Sequence, residues 1–195
     1  MSFSNPSITP QMLLENSALF TPKGSRLKPN EPAGYFARVL VLKQSTETPE
    51  WEALQKALHD FGVSHFGPEY PTMVKQGQVR SPIRTEVAGR GWPSSTVAFI
   101  NLKSGQDYPP TVVTYGPDSG LVKITDSSLI YPGVIVRVSL RIYGYGGKGS
   151  PYQSGISFGL NNILKVDDGP RLKTGRPDGS EFGGGVGAEL EEMVK

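Results

Sequence analysis

The segment Val134–Tyr145 carries arginine and tyrosine at the spacing of a β-strand. Apolar and other residues alternate strictly here, and side chains on a strand point alternately to its two faces. One face would hold Val134, Val136, Val138, Leu140 and Ile142, and the other would hold Arg137, Arg141, Tyr143 and Tyr145 with Ile135 and Ser139. Guanidinium groups pair with phosphates and planar rings stack on bases, so this second face suits an unpaired polynucleotide. A solvated sheet face with tyrosines favoured by strand propensity explains the pattern equally well.

Other candidates for the same contacts lie on neighbouring segments. Lys103 alternates with Phe99 and Asn101 on a predicted strand, where Phe99 is expected to be a core residue. Arginines occur in the predicted loop 67–93, a lysine follows the tyrosine strand, and several aromatic rings lie in or beside loops, where a ring can swing onto a base. The predicted nucleic-acid-binding set is Arg80, Arg84, Arg90, Trp92, Lys103, Tyr108, Tyr115, Arg137, Arg141, Tyr143, Tyr145, Lys148 and Tyr152.

No group of residues in the sequence predicts catalysis. His59 and His65 lack the spacing of a helical metal site and a completing ligand set, so both are expected to be structural. Asp167 and Asp168 would point to opposite faces of a strand, and a turn explains them better. The glycines of 144–149 match G-x-G-x-x-G, but no helix follows. A nuclease would need clustered carboxylates that the predicted strands lack. We therefore predict a non-enzymatic protein with no catalytic residues, metal or cofactor.

The distribution of charge is more informative than the net charge of +2. From Tyr70 to Lys148 there are nine Lys/Arg against four Asp/Glu, whereas from Asp178 onward there are five acids and one base. Acids also dominate the predicted helix, which makes it a poor surface for nucleic acid. The chain has no cysteine, no signal peptide and no apolar run of membrane-spanning length, so we expect a cytoplasmic protein that contacts no membrane.

The pattern of elements indicates a mainly β protein with one main helix. Thr48, Pro49 and the acids after them predict a helix start, Trp51, Leu54, Leu58 and Phe61 recur at helical spacing, and Gly62 would end the helix. Strands are predicted at 34–44, 94–102, 111–115, 121–125, 134–145 and 155–166. Asn161 and Asn162 interrupt the last of these, where a β-bulge or a backbone cap competes with DNA contact as their role. These elements favour a five-stranded antiparallel barrel with a long loop insertion.

We predict three regions along the chain. Residues 1–33 would form a loosely ordered arm with a short strand, residues 34–168 the barrel, and residues 169–195 a flexible tail that ends in acids.

Four motifs follow one another in the second half of the chain: the turn Tyr131–Gly133, the strand Val136–Tyr143, the loop Gly144–Gly149 and the segment Gly155–Gly169 with its Gly-Leu-Asn-Asn block. This set resembles a phage family of single-stranded-DNA-binding proteins built on an OB-fold. The strand Ala37–Leu40 and the helix after it also fit. The resemblance implies an OB-fold-like domain that coats single-stranded DNA (ssDNA) in phage replication and recombination in the bacterial host cytoplasm. It implies neither catalysis nor a metal. It matches the strand of Arg137, Arg141, Tyr143 and Tyr145 to the aromatic and basic strand of the family.

Several alternatives remain open from the sequence. A non-enzymatic β-barrel that serves as a structural or protein-interaction component of a phage fits the same composition. RNA is a further candidate ligand, and self-association along DNA is a further candidate property. The acidic tail could recruit replication or recombination proteins, mimic phosphates in the basic groove, or only keep the chain in solution.

Overall fold

The computed structural model describes residues 6–24, 32–146 and 153–172. Lys148, Tyr152 and the acidic tail therefore lie outside the described residues. In chain order the elements are β1 Ser7–Ile8, β2 Met12–Lys23, β3 Gly34–Leu42, α1 Pro49–Phe66, α2 Tyr70–Lys75, β4 Val79–Arg80, β5 Ile83–Arg84, β6 Thr96–Gly105, β7 Thr111–Tyr115, β8 Leu121–Lys123, β9 Ile135–Tyr145 and β10 Ser154–Asp167, with short 3-10 turns at Lys43–Glu47 and Ser127–Leu129. The prediction of a mainly β fold with one main helix is confirmed. Within the described ranges, no helix is long and apolar enough to cross a membrane.

Five strands close into a ring in the order β2, β3, β6, β10, β9 and back to β2. Four of the five pairings are antiparallel, and the β6–β10 pairing is parallel. Three short strands pair with ring strands: β1 with β9, β4 with β10 and β5 with β6. Strand β7 pairs with β10 and with β8. A closed ring removes the unpaired edges that its five strands would otherwise expose.

The inner face of the ring forms the main core. Val134, Val136, Val138, Leu140 and Ile142 have no exposed surface, which confirms the strand face predicted for them. Burying a branched aliphatic side chain contributes roughly 1.5–3 kcal/mol each, so this row is a large part of the stability. Helix α1 contributes Trp51, Leu54 and Leu58 to the same core. The predicted start of α1 is also confirmed, because the Thr48 hydroxyl accepts a hydrogen bond from the Trp51 N–H at 3.3 Å.

Helix α1 continues one turn beyond its predicted end. Gly62 is buried inside the helix, and the first residue after the helix is Gly67, with φ of +93°. The reason for a glycine at position 62 is packing rather than termination. A Cβ there would lie 2.2 Å from Cε1 of the Tyr70 ring, so the missing side chain makes room for that ring.

Two regions contain more regular structure than the sequence predicts. The predicted loop 67–93 holds α2, β4 and β5, and the N-terminal arm holds β2, a 12-residue strand of the ring rather than a short one. Strand β2 was hard to recognise because its register shifts between Leu14 and Asn16, which breaks the alternation of its side chains.

The Asn pair forms the predicted bulge. The pairing of β10 with β9 shifts between Leu160 and Asn162. The side-chain oxygen of Asn162 accepts a hydrogen bond from the Thr111 N–H at 3.1 Å and so caps the start of β7. The bulge is therefore confirmed, and the cap is confirmed for Asn162. Both residues also line a cavity on the outward face, so DNA contact by the pair stays a prediction.

The chain after β10 crosses the turn that precedes β9 at two glycines. A Cβ on Gly133 would lie 1.9 Å from the Pro170 carbonyl oxygen, and one on Gly169 would lie 2.0 Å from the Gly133 carbonyl oxygen. Gly133 also has φ of +107°, a conformation that glycine adopts without strain. Beyond the crossing, the Leu172 N–H donates to the Pro132 carbonyl at 3.0 Å. We call this contact the glycine crossing.

Candidate nucleic-acid interface

A row of residues runs across the outward face of four strands of the ring. The register pairs Arg141 of β9 with Gly159 of β10, Gly159 with Lys103 of β6, and Lys103 with Phe36 of β3. Paired residues point to the same face of a sheet, so these side chains stand side by side opposite the core. Because Gly159 has no side chain, the middle of the row is a depression in the surface. The Tyr143 ring lies beside this depression, 3.8 Å from where a Cβ of Gly159 would be.

Arg141, Gly159 and Lys103 of this row line an open cavity of about 880 Å³. The cavity brings together four residues of the predicted set, which are Lys103, Tyr108, Arg141 and Tyr143. Tyr108 stands at the rim with 76% of its surface exposed. A tight turn holds it there: its N–H donates to the Gly105 carbonyl at 3.0 Å, and the Ser104 hydroxyl donates to its carbonyl.

A second cavity of about 560 Å³ adjoins the first and shares Lys103, Ser104 and Gly105 with it. Its other walls come from β2, β3 and β6 and include Lys23, Phe36 and Arg38. The Arg38 Nε donates to the Asn101 side-chain oxygen at 2.8 Å, and its Nη1 lies 3.5 Å from a Glu15 carboxylate oxygen. We call the two cavities together the outer groove.

Sequence reasoning missed the contribution of β3 and the end of β2 to the outer groove. The alternation of Phe36 and Arg38 with buried Ala37 and Val39 was present in the sequence and would have placed both on the outward face. The dense apolar character of the segment hid this pattern. Lys23 gave no such signal, because it ends a strand that the sequence did not predict at full length.

Tyr145, Arg80 and Arg84 continue the same face beyond Tyr143. Gly155 of β10 pairs with both Tyr145 and Arg80, and a Cβ on Gly155 would lie 2.5 Å from the Tyr145 hydroxyl and 2.9 Å from the Arg80 Cβ. Arg84 binds the Glu86 carboxylate with both Nε and Nη2, at 3.2 and 3.0 Å. This pair raises the pKa of Arg84, with a smaller contribution from Tyr145, and lowers the pKa of Glu86.

The structure does not bring Arg137 to the outer groove, although it shares a strand face with Arg141. Its Nη2 lies 2.9 Å from the Glu50 carboxylate, and its Nε donates to the Thr9 carbonyl at 3.1 Å. Arg137 therefore ties the start of α1 and the β1 segment to β9. Tyr115 also lies elsewhere: it ends β7, is 52% exposed and lines neither cavity of the groove.

Arg90 and Trp92 belong to a small apolar cluster on the outward face. The register aligns Leu13, Leu40 and Phe99 of β2, β3 and β6, and all three are buried under Val87, Trp92 and Leu172. The prediction that Phe99 is a core residue is thus confirmed, although its core is this outer one. The Arg90 guanidinium lies 5.0 Å from the Trp92 ring centre and 4.8 Å from that of Phe99. We call this group the outer cluster.

His65 packs against neighbouring rings and backbone, whereas His59 is exposed on α1. The His65 ring stacks on Phe61, with 5.7 Å between ring centres, and lies against Gly144, where a Cβ would be 2.5 Å from it. In the part of the chain that the structure describes, no three His, Cys, Asp or Glu side chains are grouped so that they could hold a metal ion.

Comparison with solved structures supports the fold. The chain is similar to the single-stranded DNA-binding protein of bacteriophage Enc34 in complex with ssDNA, with a TM-score of 0.62 and 15% identity over 85% of this chain and 88% of that one. A second structure of the single-stranded DNA-binding protein of bacteriophage Enc34 matches with a TM-score of 0.59 and 16% identity, over 90% of this chain and 88% of that one. The protein gp2.5 of bacteriophage T7, a single-stranded DNA-binding protein, matches with a TM-score of 0.58 and 13% identity over 91% and 93%. These likenesses confirm the OB-fold-like class.

Sequence comparison gives two results. No curated protein matches the chain. A family model described as the ssDNA-binding protein of Enterobacter phage Enc34 matches residues 7–194, which is nearly the whole chain. This chain therefore belongs to the family of the Enterobacter phage Enc34 ssDNA-binding protein.

Proposed function

We propose that the protein binds single-stranded DNA along the outer groove, without sequence preference, and coats and protects the strand during phage replication or recombination in the host cytoplasm. Family membership and the similarity to two phage ssDNA-binding proteins support the ligand. The observation that carries the proposal is the convergence of Lys103, Arg141, Tyr143 and Tyr108 around one open cavity.

The cations of the groove would bind the backbone of the strand. Lys103 lies at the junction of the two cavities, with Arg141 on one side and Arg38 and Lys23 on the other, so phosphates can be neutralised along the whole length. Lys103 and Arg141 are exposed on the strand face and need no rearrangement to meet a phosphate. Arg80 and Arg84 would extend this path past Tyr145.

The rings of the groove would hold the bases. Tyr143 lies low, beside Gly159, and Tyr108 stands at the rim, so a base can lie against either ring. Stacking contributes roughly 1–3 kcal/mol per base and accepts every base, because each has a π-face. Such binding forms and breaks no covalent bond, so the protein would act by covering the strand and not as a catalyst.

Titration of labelled dT oligomers of increasing length at two salt concentrations tests the proposal. Each neutralised phosphate contributes about 0.7 to the fall of log K with log salt for single strands. The four groove cations Lys23, Arg38, Lys103 and Arg141 therefore predict a slope of about −3. A flat salt response would contradict the proposed contacts. No binding at micromolar protein would favour a structural or interaction role instead, and equal competition by rU oligomers would extend the ligand class to RNA.

Tyr108→Ala is expected to weaken dT binding by about 1–3 kcal/mol, because it removes one stacking ring. Its melting temperature should stay within about 1 °C of the parent, since exposed substitutions usually change stability by less than about 0.5 kcal/mol. Tyr115→Ala is the matched control, because it removes an exposed tyrosine that lies outside the groove. Equal affinities for the two variants would exclude Tyr108 from the interface.

We propose further that the protein has partners besides DNA. Replication or recombination proteins are the candidates for the acidic tail, and neighbouring copies along the strand are the candidates for self-association. The support is the excess of acids after Asp178.

A further inference from the structure

The outer cluster has one accessible side, where the loop after β5 leaves a small cavity. This cavity has a volume of about 260 Å³ and is lined by residues 87–94 and Thr96, including Arg90 and Trp92. Trp92 is only partly buried, and its ring meets Phe99 edge-on, with 5.2 Å between centres and 66° between planes. An indole supported from behind in this way is a rigid surface on which another ring could lie.

Arg90 covers this side of the cluster through weak contacts. Its Nε donates to the Glu86 carbonyl at 2.8 Å, and its guanidinium lies over Trp92 and Phe99. The carboxylate of Glu86 is held by Arg84, and among the described residues Arg90 forms no ion pair. Each cation–π contact at such a site is weaker than a charge-assisted hydrogen bond to a phosphate, and the guanidinium can make more than one such bond to a phosphate through its fork of N–H groups. A phosphate can therefore draw Arg90 away from the rings.

Two features allow the cover to move and a ligand to enter. Gly89 and Gly91 flank Arg90 with φ of +70° and +66°, and no atom lies within 4 Å of where their Cβ atoms would be. Thr96, which lines the same cavity, has a buried hydroxyl with no hydrogen-bond partner among the described residues. A buried polar group without a partner is costly, and a ligand with a polar edge could supply one.

Arg38 connects this cavity to the outer groove. Its guanidinium lies 5.6 Å from the Phe99 ring centre, on the cluster, and the same residue lines the second cavity of the groove. Arg38 and Trp92 both contact the Phe99 ring, so a strand that leaves the groove past Arg38 would approach Trp92 and Arg90.

We propose that Trp92 is a base-stacking site at the end of the outer groove, which Arg90 covers in the free protein and uncovers when it takes up a phosphate of the arriving strand. This inference rests on the proposed function and adds to it a site that is filled only by strands long enough to pass Arg38. Short oligomers would bind in the groove and leave Trp92 covered.

Tryptophan fluorescence during dT titration tests the inference with the full chain. The chain has two tryptophans, and Trp51 is buried in the main core, so the difference between the parent and Trp92→Phe isolates the signal of Trp92. We expect long oligomers to quench this signal and oligomers of a few nucleotides to bind without quenching it. Arg90→Gln should lower the salt slope by about 0.7 for long oligomers only. It should also make Trp92 of the free protein more accessible to acrylamide.

The outcomes separate this inference from the proposed function. Suppose that dT binds and that Tyr108→Ala weakens this binding. If long oligomers then leave the Trp92 fluorescence unchanged, and the salt slope of Arg90→Gln equals that of the parent, the stacking site at Trp92 is wrong but the proposed binding in the outer groove stands. If no oligomer binds, the proposed function fails first. Trp92→Leu, with its melting temperature recorded, should lower affinity for long oligomers roughly 5- to 150-fold and leave short ones unchanged. An equal loss at both lengths would also overturn the inference.

Discussion

Lys103→Ala combined with Arg141→Ala is expected to reduce affinity for dT oligomers about 100-fold at low salt. Each side chain is expected to make one charge-assisted contact to a phosphate, worth about 1.5 kcal/mol or more, and 1.4 kcal/mol corresponds to roughly a factor of 10. The salt slope should fall in magnitude by about 1.4, which is two phosphates at about 0.7 each. Both residues are exposed, so the melting temperature should change little.

The matched control removes the same charge elsewhere. Lys56 lies on α1, where it pairs with Asp60 at 2.6 Å, and Lys123 lies on β8; neither lines the outer groove. Lys56→Ala with Lys123→Ala should therefore lower affinity only through the general field of the protein, by far less than 100-fold. Similar losses in the two double variants would mean that binding follows net charge and not the groove.

Gly133→Ala is expected to give the largest loss of stability among alanine substitutions at the glycines that the structure describes. Its Cβ would lie 1.9 Å from the Pro170 carbonyl oxygen, and its φ of +107° strains any side chain. Overpacking and backbone strain each cost about 1–3 kcal/mol, so a loss of about 3 kcal/mol is expected. For a chain of this size that lowers the melting temperature by roughly 10 °C.

Gly169→Ala and Gly120→Ala are the two comparison variants for this prediction. Gly169 is the other half of the glycine crossing and should be similarly sensitive, because its Cβ would meet the Gly133 carbonyl oxygen at 2.0 Å. Gly120 has open space around it and no positive φ, so alanine there should be nearly neutral. If the Gly133 and Gly120 variants have the same melting temperature, the turn before β9 and the chain after β10 do not pack as described.

The features that could be predicted from the sequence are those set by local chemistry. Strict alternation placed the faces of β9, and the Thr48 cap with its proline placed the start of α1. The end of α1 could not be read in this way, because Gly62 is explained by a ring from the next helix, which only the folded structure brings there. Strand β2 was underestimated because its bulge hides the alternation on which such predictions depend.

The sequence indicated which types of residue would form the candidate site, but not which individual residues would reach it. Arg137 and Arg141 are equivalent on a strand diagram, yet one meets Glu50 on α1 and the other opens into the groove. Tyr108 and Tyr115 both flank turns, and only the tertiary structure separates the rim of the groove from the end of β7. Two of the predicted residues, Lys148 and Tyr152, lie outside the described residues, and the roles of all the predicted residues in DNA binding stay predictions.

The closed ring of strands also determines when during synthesis the protein can fold. Strand β2 is made early, but its ring partner β9 and the closing strand β10 are made late, so the ring cannot form before most of the chain has left the ribosome. Contacts between residues so far apart in sequence slow folding. Until β9 and β10 are made, β2 and β6 are the outer strands of the early β2–β3–β6 sheet and offer free edges to neighbouring nascent chains. We therefore expect efficient production to depend on chaperones that protect these edges, and the outer groove to form late and in a single step.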